Sequence, residues 1–373
     1  MNDEMIDIND INIHITNVCN YSCPECNNLC DRKFKGHQLW DDYKDIYKEW
    51  SNRITGAITI QGGEPLMNPT VLDWVRGVRG LWNDTALKIV TNGSRINQVS
   101  GLYNTILELN KQYNGETHIQ ISLHAREMRE EVVDSVIEFL DDIEEYKVEE
   151  YLDYKSNYAE LFNNWQLYYN AAKDATWPQC TNFRDFYKLP QYVQDECTID
   201  LKISPYQWLS SQIQKQTTTL IDRNGVMVEI WLMDWFDSNA LNCVDGNLEL
   251  YDNDPAEAYR TIMSNDGGQC RCHQFAEGKL YRCAVVQSLG ELVNQTPNIL
   301  VTADQLCDLH SYVPLLSSST NAEIDAFINQ SFRFNEKDVL PQCRFCPITS
   351  IPTRLTRENI TMKIRKEPPT NAD

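Results

Sequence analysis

The sequence predicts an α/β protein built on a parallel sheet, and two observations support that class. Short apolar runs alternate with amphipathic helical patterns through the first 235 residues, and such strand–helix repeats are typical of a parallel sheet. The chain also has 373 residues with 42 % hydrophobic and 23 % charged content, which is ordinary for a globular protein. That length is enough for one barrel-sized domain and a smaller second domain.

Each predicted element follows from periodicity and from the residues that bound it. The six predicted strands are Ile11–Thr16, Ala57–Gln61, Leu87–Thr91, His118–Leu123, Thr198–Ile203 and Val226–Leu232. Helices are predicted at Leu39–Trp50, from Asn68-Pro69, at Leu102–Tyr113, from about Glu130 and at Pro205–Gln216. Six such units are compatible with a barrel, but the pattern alone does not separate a barrel from an open, doubly wound sheet.

The predicted domains are residues 1–235, residues 236–353 and a tail at 354–373. Within the first domain, residues 146–192 interrupt the strand–helix rhythm and are too long for a simple connection. They hold 13 of the 38 aromatic residues of the chain. We interpret this segment as a helical insertion that packs its own aromatics onto the sheet; the alternative is a lid or a substrate wall.

Charge and cysteine content narrow the class of protein. The net charge is −21, with 54 acidic and 33 basic residues, which disfavours an extended nucleic-acid partner because phosphate backbones need clustered Lys and Arg. No run of 18 apolar residues and no signal peptide is evident, so no membrane association is expected. Thirteen cysteines without a secretion signal indicate a reducing compartment, and we expect a cytoplasmic protein.

The first cysteine group lies directly after the first predicted strand. Cys19, Cys23 and Cys26 have the spacing C-x3-C-x2-C, which can hold three corners of a [4Fe-4S] cube and leave the fourth iron open. The alternative is a zinc site, which needs four ligands. Cys30 could supply the fourth, so this stretch alone leaves both readings open.

A second motif, Gly62-Gly63-Glu64-Pro65, follows the second predicted strand. Together the two motifs resemble the radical S-adenosylmethionine (SAM) superfamily. The resemblance implies a partial (β/α)6 TIM-like barrel, a [4Fe-4S] cluster with an open iron on the cysteine loop, and SAM bound with its methionine amino group along Gly62, Gly63 and Glu64. Many family members have an aromatic residue before the third cysteine, where this chain has Glu25.

Further cofactor contacts are implied at the ends of the third and fourth strands. These are Thr91, Asn92, Gly93 and Ser122, which the resemblance places opposite SAM. Asn92-Gly93 is equally typical of a simple turn. His124 shares a strand face with Ser122, and a structural hydrogen bond explains it as well as catalysis would. No catalytic residue is assigned.

The second cysteine group is formed by Cys272, Cys283, Cys343 and Cys346. Its arrangement, C-x5-G-x4-C and then C-x2-C, resembles the Twitch domain, a shortened SPASM domain that carries an auxiliary [4Fe-4S] cluster. Gly278 fits a hairpin turn between the first two of these cysteines. Cys270 is an alternative to Cys272, His273 is expected to be a neighbour rather than a ligand, and a zinc ribbon is the alternative site.

The resemblance implies a radical SAM oxidoreductase of dehydrogenase type. Cleavage of SAM would give a 5′-deoxyadenosyl radical that abstracts hydrogen from a small polar substrate, while the auxiliary cluster takes up the second electron. An external one-electron reductant such as flavodoxin or ferredoxin is the expected partner. A peptide substrate is less expected because the chain begins about ten residues before its first strand. The alternatives are a peptide-modifying radical SAM enzyme and a non-catalytic iron–sulfur or zinc binding protein.

Overall fold

A computed structural model describes residues 5–26, 28–30, 35–140, 147–150, 218–223, 225–233, 235–236, 240–244, 247–265, 273–295, 299–331, 339–348 and 353–360. The chain divides into one compact unit made of Met1–Val148 and Leu220–Asp373 and a second made of Glu149–Thr219. The predicted strand Thr198–Ile203, the helix Pro205–Gln216 and most of the aromatic-rich segment lie outside the described residues. The predicted domain boundaries stay a prediction.

The fold is α/β with a mostly parallel sheet, as the sequence predicts. The strands of its first part are β1 (Ile6–His14), β2 (Ile54–Gln61), β3 (Leu87–Thr91), β4 (Thr117–Leu123), β5 (Lys147–Glu150), β6 (Thr218–Arg223) and β7 (Val226–Leu232). In the first unit β1, β2, β3, β4 and β7 are neighbours in that order, and every pair among them is parallel.

The predicted strand Val226–Leu232 is confirmed with its predicted bounds. It pairs directly with β4, with Ile119 opposite Val228, whereas Thr198–Ile203, predicted as the strand before it, lies outside the described residues. All seven residues of β4 are buried, so this strand needs a neighbour on each side. β7 alternates between buried and half-buried residues.

Four helices follow the first four parallel strands and cover the sheet. They are α1 (Trp40–Ser51), α2 (Val71–Leu81), α3 (Leu102–Gln112) and α4 (Arg129–Phe139). Their buried faces carry residues at helical spacing, such as Tyr47 and Trp50 in α1 and Trp74 and Val78 in α2. Because burial of large apolar side chains is the main stabilising term in folding, these faces hold the helices on the sheet and fix the loops between them.

The C-terminal third adds further strands and helices. They are β8 (Trp235–Phe236), β9 (Leu241–Val244), β10 (Asn247–Leu250), α5 (Pro255–Asn265), β11 (His273–Ala276), β12 (Lys279–Tyr281), α6 (Ala284–Gln295), β13 (Ile299–Leu300), α7 (Ala303–Ser311), α8 (Asn321–Ser331) and β14 (Thr353–Arg354). β11 pairs with β1 in parallel, and β12 pairs with β11 in antiparallel fashion. This part of the chain thereby extends the main sheet beyond β1.

The predicted hairpin turn at Gly278 is confirmed. Ala276 and Lys279 are paired, and the two residues between them have positive φ angles, 53° at Glu277 and 69° at Gly278. Two such residues are typical of the tight turns that join antiparallel strands. The turn also packs on α1, since Trp50 Nε1 donates to the Gly278 carbonyl at 2.9 Å.

A second hydrophobic core connects the first cysteine loop with the C-terminal third. Leu29, which is 2 % exposed, belongs to the same buried cluster as Phe345, and its other members are Ala240, Leu241, Leu250, Leu289, Leu292 and Ile299. Leu29 has a φ of 53°, which is uncommon for a bulky residue. The chain therefore accepts local strain there while it places this side chain in the second core.

None of the described helices combines the length and the apolar character that a membrane span needs.

Candidate functional site

The loops after β1 and β2 are joined by backbone hydrogen bonds. Gly63 N–H donates to the Thr16 carbonyl at 2.7 Å, and Glu64 N–H donates to the Val18 carbonyl at 2.8 Å. Parallel strands end at the same edge of the sheet, so the loops that follow them are neighbours. The cysteine loop is thus fixed on its N-terminal side by the Gly-Gly-Glu motif.

The two glycines are required by the close approach of these loops. A Cβ atom on Gly62 would lie 2.5 Å from the Thr16 carbonyl oxygen, and one on Gly63 would lie 2.4 Å from the Val18 carbonyl oxygen. Both distances are far below van der Waals contact, and both neighbours are backbone atoms. Glycine is therefore required at both positions by the cysteine loop itself.

Glu64 links the ends of β2 and β3. Its carboxylate is fully buried and accepts hydrogen bonds from Thr91 Oγ1 at 2.6 Å, Asn92 N–H at 2.8 Å and Leu66 N–H at 3.0 Å. Burial raises the pKa of Glu64, while these three donors act in the opposite direction. Glu64 and Thr91, both predicted as cofactor-binding residues, are therefore brought together, and the carboxylate already has internal partners.

Glu64→Ala is expected to destabilise the protein. The substitution leaves three donors without their acceptor, so it should lower the free energy of unfolding by about 3 kcal/mol or more. Urea unfolding of the cluster-free protein measures this effect. Glu49→Ala is the matched control, because Glu49 is exposed on α1. A variant as stable as the control would show that the carboxylate does not link the two strands.

Asn92 and Gly93 form more than a turn. Asn92 Nδ2 donates to Asn20 Oδ1 at 2.9 Å and lies 3.9 Å from the Cys19 sulfur, and Ser94 Oγ donates to Asn92 Oδ1. Asn20 in turn donates to Ser94 Oγ at 2.8 Å. Gly93 has a φ of 78°, and a Cβ there would lie 2.8 Å from Ile121 Cγ2. The end of β3 therefore positions the first cysteine of the loop.

Four thiols lie on the first cysteine loop. Cys19 and Cys26 are half-buried, and Cys23 and Cys30 are buried. The Cys30 thiol hydrogen-bonds with the thiols of Cys19 and Cys26, and these bonds, together with burial, raise the pKa of Cys30 well above its usual range. Cys30 is therefore a direct neighbour of two predicted cluster ligands.

The end of β4 contributes Ser122 and His124. Ser122 is buried and lies in register with Trp231 of β7. The His124 ring packs against Tyr21 of the cysteine loop with 6.4 Å between ring centroids. Burial lowers the pKa of His124 to about 4, and a hydrogen bond to the Met233 backbone acts in the opposite direction. His124 is thus neutral at pH 7, and it supports the cysteine loop through Tyr21.

Tyr21 lies between the first two cysteines and is buried. Its hydroxyl hydrogen-bonds with Ser94, and burial raises its pKa to about 12. The side chain therefore fixes the middle of the loop from β3 while His124 contacts it from β4. The family motif carries an aromatic residue elsewhere in this loop, and Tyr21 gives this loop an aromatic side chain of its own.

The described members of the second cysteine group also lie together. Cys283 precedes α6, and its thiol hydrogen-bonds with the backbone N–H groups of Val285 and Val286; burial raises its pKa. Cys343 lies near Cys283. Burial raises the pKa of Cys343 to about 11, and the interaction with Cys283 acts in the same direction. Cys346 N–H donates to the Cys343 carbonyl at 3.0 Å. Cys270 and Cys272 lie outside the described residues.

The donor sets suit iron–sulfur clusters. Cys19, Cys23 and Cys26 lie on one short loop, and Cys343 and Cys346 lie three positions apart at a short helix; cysteine thiolates are the usual ligands of such clusters. Among the residues that the structure describes, no group of three or more His, Cys, Asp and Glu side chains is arranged to hold a single metal ion.

Several residues around the first loop were missed by sequence reasoning. Asn20 and Ser94 form the hydrogen bonds described above, and Asn28 Nδ2 donates to the Gly62 carbonyl at 2.8 Å. The only local signal was the polar composition next to the cysteines and to Asn92-Gly93. His273, expected to be a neighbour of the second group, is buried in β11, and burial lowers its pKa to about 4.

One family model matches part of the chain. Residues 13–161 match the model described as the Radical SAM superfamily, which agrees with the resemblance of the N-terminal motifs to that superfamily. No curated protein matches the chain.

Solved structures of Streptococcus suis SuiB show limited similarity to the chain. SuiB bound to the precursor peptide SuiA is 17 % identical with a TM-score of 0.26, over 34 % of this chain and 27 % of that one. SuiB bound to S-adenosylmethionine is 16 % identical with a TM-score of 0.23, over 48 % and 53 %. The chain therefore spans between about a quarter and about half of the length of these SuiB structures.

Proposed function

We propose that this protein is a radical SAM oxidoreductase that removes hydrogen from a small polar substrate. The observation that carries the proposal is the direct joining of the three-cysteine loop to Gly62-Gly63-Glu64 by the hydrogen bonds to Thr16 and Val18. A zinc site has no need of this second loop. Through these hydrogen bonds the three thiols lie beside the backbone of Gly62 and Gly63 at the carboxyl edge of the parallel sheet. This is the edge at which α/β proteins bind their ligands.

The residues of the first site would hold and orient the cofactors. Cys19, Cys23 and Cys26 are the proposed ligands of a [4Fe-4S] cluster, and the backbone of Gly62 and Gly63 lines the loop that would receive SAM. A buried, neutral His124 and Tyr21 support the loop from one side. When bound, a cluster here would supply the electron that cleaves SAM, and one on the second group would take up the electron left on the substrate.

The second group supports the choice of an oxidoreductase. Cys283 and Cys343 are neighbours, and Cys346 lies on the same short turn as Cys343. With Cys272 they would fill all four corners of a cluster, which leaves electron transfer as its function. Removing hydrogen from a substrate carbon and then one further electron amounts to a two-electron oxidation, so a dehydrogenation product is expected.

Cys343→Ala tests the proposal. Polyols, sugars and nucleosides, with short peptides as the alternative class, are first screened for compounds that increase 5′-deoxyadenosine formation by the reconstituted protein. With the deuterated form of an active compound, the variant should still transfer deuterium into 5′-deoxyadenosine but should give no oxidised product. Cys307→Ala is the control, because Cys307 is exposed on α7.

Two outcomes would contradict the proposal. Full oxidised product from a Cys343→Ala protein that lacks the second cluster would exclude its role as electron acceptor. Stimulation by peptides alone would replace the small polar substrate with a peptide. SAM binding by the variant, measured first, ensures that the first site has remained intact, because loss of a metal site can also unfold its domain.

A further inference from the structure

The two faces of the parallel sheet differ in composition. On the face towards the helices, a row of paired and buried residues crosses β1, β2, β3, β4 and β7 and consists of Ile13, Ile60, Ile89, Ile119 and Val228. Arg79 of α2 donates to Thr117 Oγ1 at 3.0 Å, and Thr117 lies on the same face as Ile119. Parallel sheets are usually apolar on both faces, and the opposite face of this sheet departs from that rule.

The opposite face, which we call the polar face, is formed by the alternate residues of the same strands. Lys88 of β3 lies opposite His118 of β4, and Gln120 of β4 lies opposite Glu229 of β7. Lys88 Nζ lies 5.9 Å from the centroid of the Trp231 ring, and this contact crosses β4, which separates β3 from β7. The polar face is thus defined by Lys88, His118, Gln120, Glu229 and Trp231.

His118 is a buried polar residue with an unpaired ring nitrogen. It is 9 % exposed, and within the described part of the chain its buried Nδ1 atom has no hydrogen-bond partner. Burial, together with the charges of Lys88 and Arg79, lowers the pKa of His118 to about 4, so the ring is neutral at pH 7. A buried polar atom without a partner is unfavourable, and a hydrogen bond to a bound ligand would satisfy it.

Lys88 places a cation on the same face. It is half-buried, and among the described residues its ammonium group contacts the Trp231 ring rather than a carboxylate. The Glu229 carboxylate accepts a hydrogen bond from Trp231 Nε1 at 3.1 Å. In a chain with a net charge of −21, a half-buried lysine with an aromatic rather than an acidic partner is a local exception, and its charge is available to an anionic ligand.

The polar face leads to the candidate site. Ser122 lies in register with Trp231 at the carboxyl end of β4. Asn92, which follows β3, lies with its Nδ2 atom 3.9 Å from the Cys19 sulfur. Ligands of α/β proteins bind at this edge of the sheet, so a molecule on the polar face would reach the loops that carry the proposed cluster ligands.

The groups on the polar face select one class of ligand. An ammonium group pairs with a carboxylate or a phosphate, whereas a neutral imidazole and an amide exchange hydrogen bonds with hydroxyl groups. The Glu229 carboxylate accepts from hydroxyls as well, and it would repel a second anionic group on the β7 side. The set therefore matches a hydroxylated molecule with a single anionic group.

We propose that the polar face binds the substrate, and that the substrate is a small hydroxylated compound with one carboxylate or phosphate group that pairs with Lys88. The inference rests on the proposed function, which takes a small polar molecule as the substrate. It goes beyond that function by adding the anionic group and by naming the side chains that recognise it.

The test uses matched compounds that differ in the anionic group. D-Glucose is compared with D-gluconate and D-glucose 6-phosphate, and uridine is compared with uridine 5′-monophosphate. Calorimetric titration measures their affinities for the full-length, reconstituted protein in the presence of SAM. We expect an anionic compound to bind about tenfold more tightly than its neutral partner, and gluconate against the two phosphates distinguishes a carboxylate from a phosphate ester.

Lys88→Met removes the charge but keeps an unbranched side chain against Trp231. It should weaken binding of the anionic compound by about tenfold and leave the neutral partner unchanged, while Lys88→Arg should retain most of the affinity. Lys111→Met is the matched control, because Lys111 is exposed on α3. His118→Leu should weaken both members of a pair equally, because it removes a hydrogen bond and not the charge.

The outcomes separate this inference from the proposed function. Equal affinities within every pair, binding of none of the anionic compounds, or an unchanged affinity in Lys88→Met would overturn the inference alone when the protein still forms 5′-deoxyadenosine. Binding that depends on Lys88 in a protein that does not cleave SAM would support the polar face as a binding site and overturn the proposed function. If Lys88→Met does not fold, the matched compounds on the unaltered protein decide the question.

Discussion

Replacing Cys19, Cys23 and Cys26 together with alanine is expected to abolish the formation of 5′-deoxyadenosine from SAM. The anaerobically reconstituted intact protein should hold about eight irons in two cubes, and the variant about four. The three thiols are the proposed ligands of the first cluster, and the loop that carries them is fixed by Gly63, Tyr21 and Asn92. Iron analysis and a SAM cleavage assay with a chemical reductant measure the two effects.

Cys307→Ala is the control for this experiment, since Cys307 lies exposed on α7 and outside both cysteine groups. It should retain both the iron content and the cleavage activity. About four irons together with one equivalent of zinc in the intact protein would identify the second group as a zinc site. Residual 5′-deoxyadenosine formation by the triple variant would exclude these cysteines as the cluster ligands.

Gly63→Ala is expected to disturb the first site nearly as strongly, although it removes no ligand. A Cβ atom at this position would lie 2.4 Å from the Val18 carbonyl oxygen and 3.1 Å from the Cys19 nitrogen, so the cysteine loop must move away from the end of β2. The hydrogen bonds from Gly63 and Glu64 to this loop would weaken with that movement. We expect a lower melting temperature and a loss of iron from the first cluster.

Gly290→Ala provides the matched comparison. Gly290 lies within α6, and nothing is within 4 Å of the position of its Cβ atom, so alanine should stabilise this helix by about 0.5–1 kcal/mol. Calorimetry and iron analysis are performed on both variants. Gly290→Ala reports the effect of adding a methyl group alone, and Gly63→Ala reports the additional effect of its steric clash with Val18. A Gly63→Ala protein with wild-type iron content and melting temperature would show that the two loops separate without cost.

The strands that the sequence predicted best are those that alternate regularly between buried and half-buried residues from end to end. Leu87–Thr91 and Val226–Leu232 have the predicted bounds, because β-branched residues fill them and turn residues flank them. β1 begins earlier than predicted, at Ile6 rather than Ile11. Its register shifts between Asp7 and Asp10, so the alternation before the irregularity is out of phase with the alternation after it.

The part of the candidate site that the sequence predicted consists of motifs recognisable from the spacing of their residues. The cysteines and the Gly-Gly-Glu motif occur at recognisable intervals, and hydrogen bonds between their loops follow from parallel strands that end at one edge. The contacts of Cys30 with Cys19 and Cys26 and the burial of Leu29 in the second core depend on residues far away in the sequence. No local pattern reports such contacts, because they arise from the packing of the folded chain.

The pairing of β11 with β1 has a consequence for the protein as it is synthesised. These strands are more than 250 positions apart, so the ribosome adds more than 250 residues before β1 can gain its second neighbour. Until then the backbone N–H and C=O groups along one side of β1 are open, and an unpaired strand edge can pair with other chains. Protection of this edge, next to the loop that carries Cys19, therefore has to wait until β11 has been synthesised.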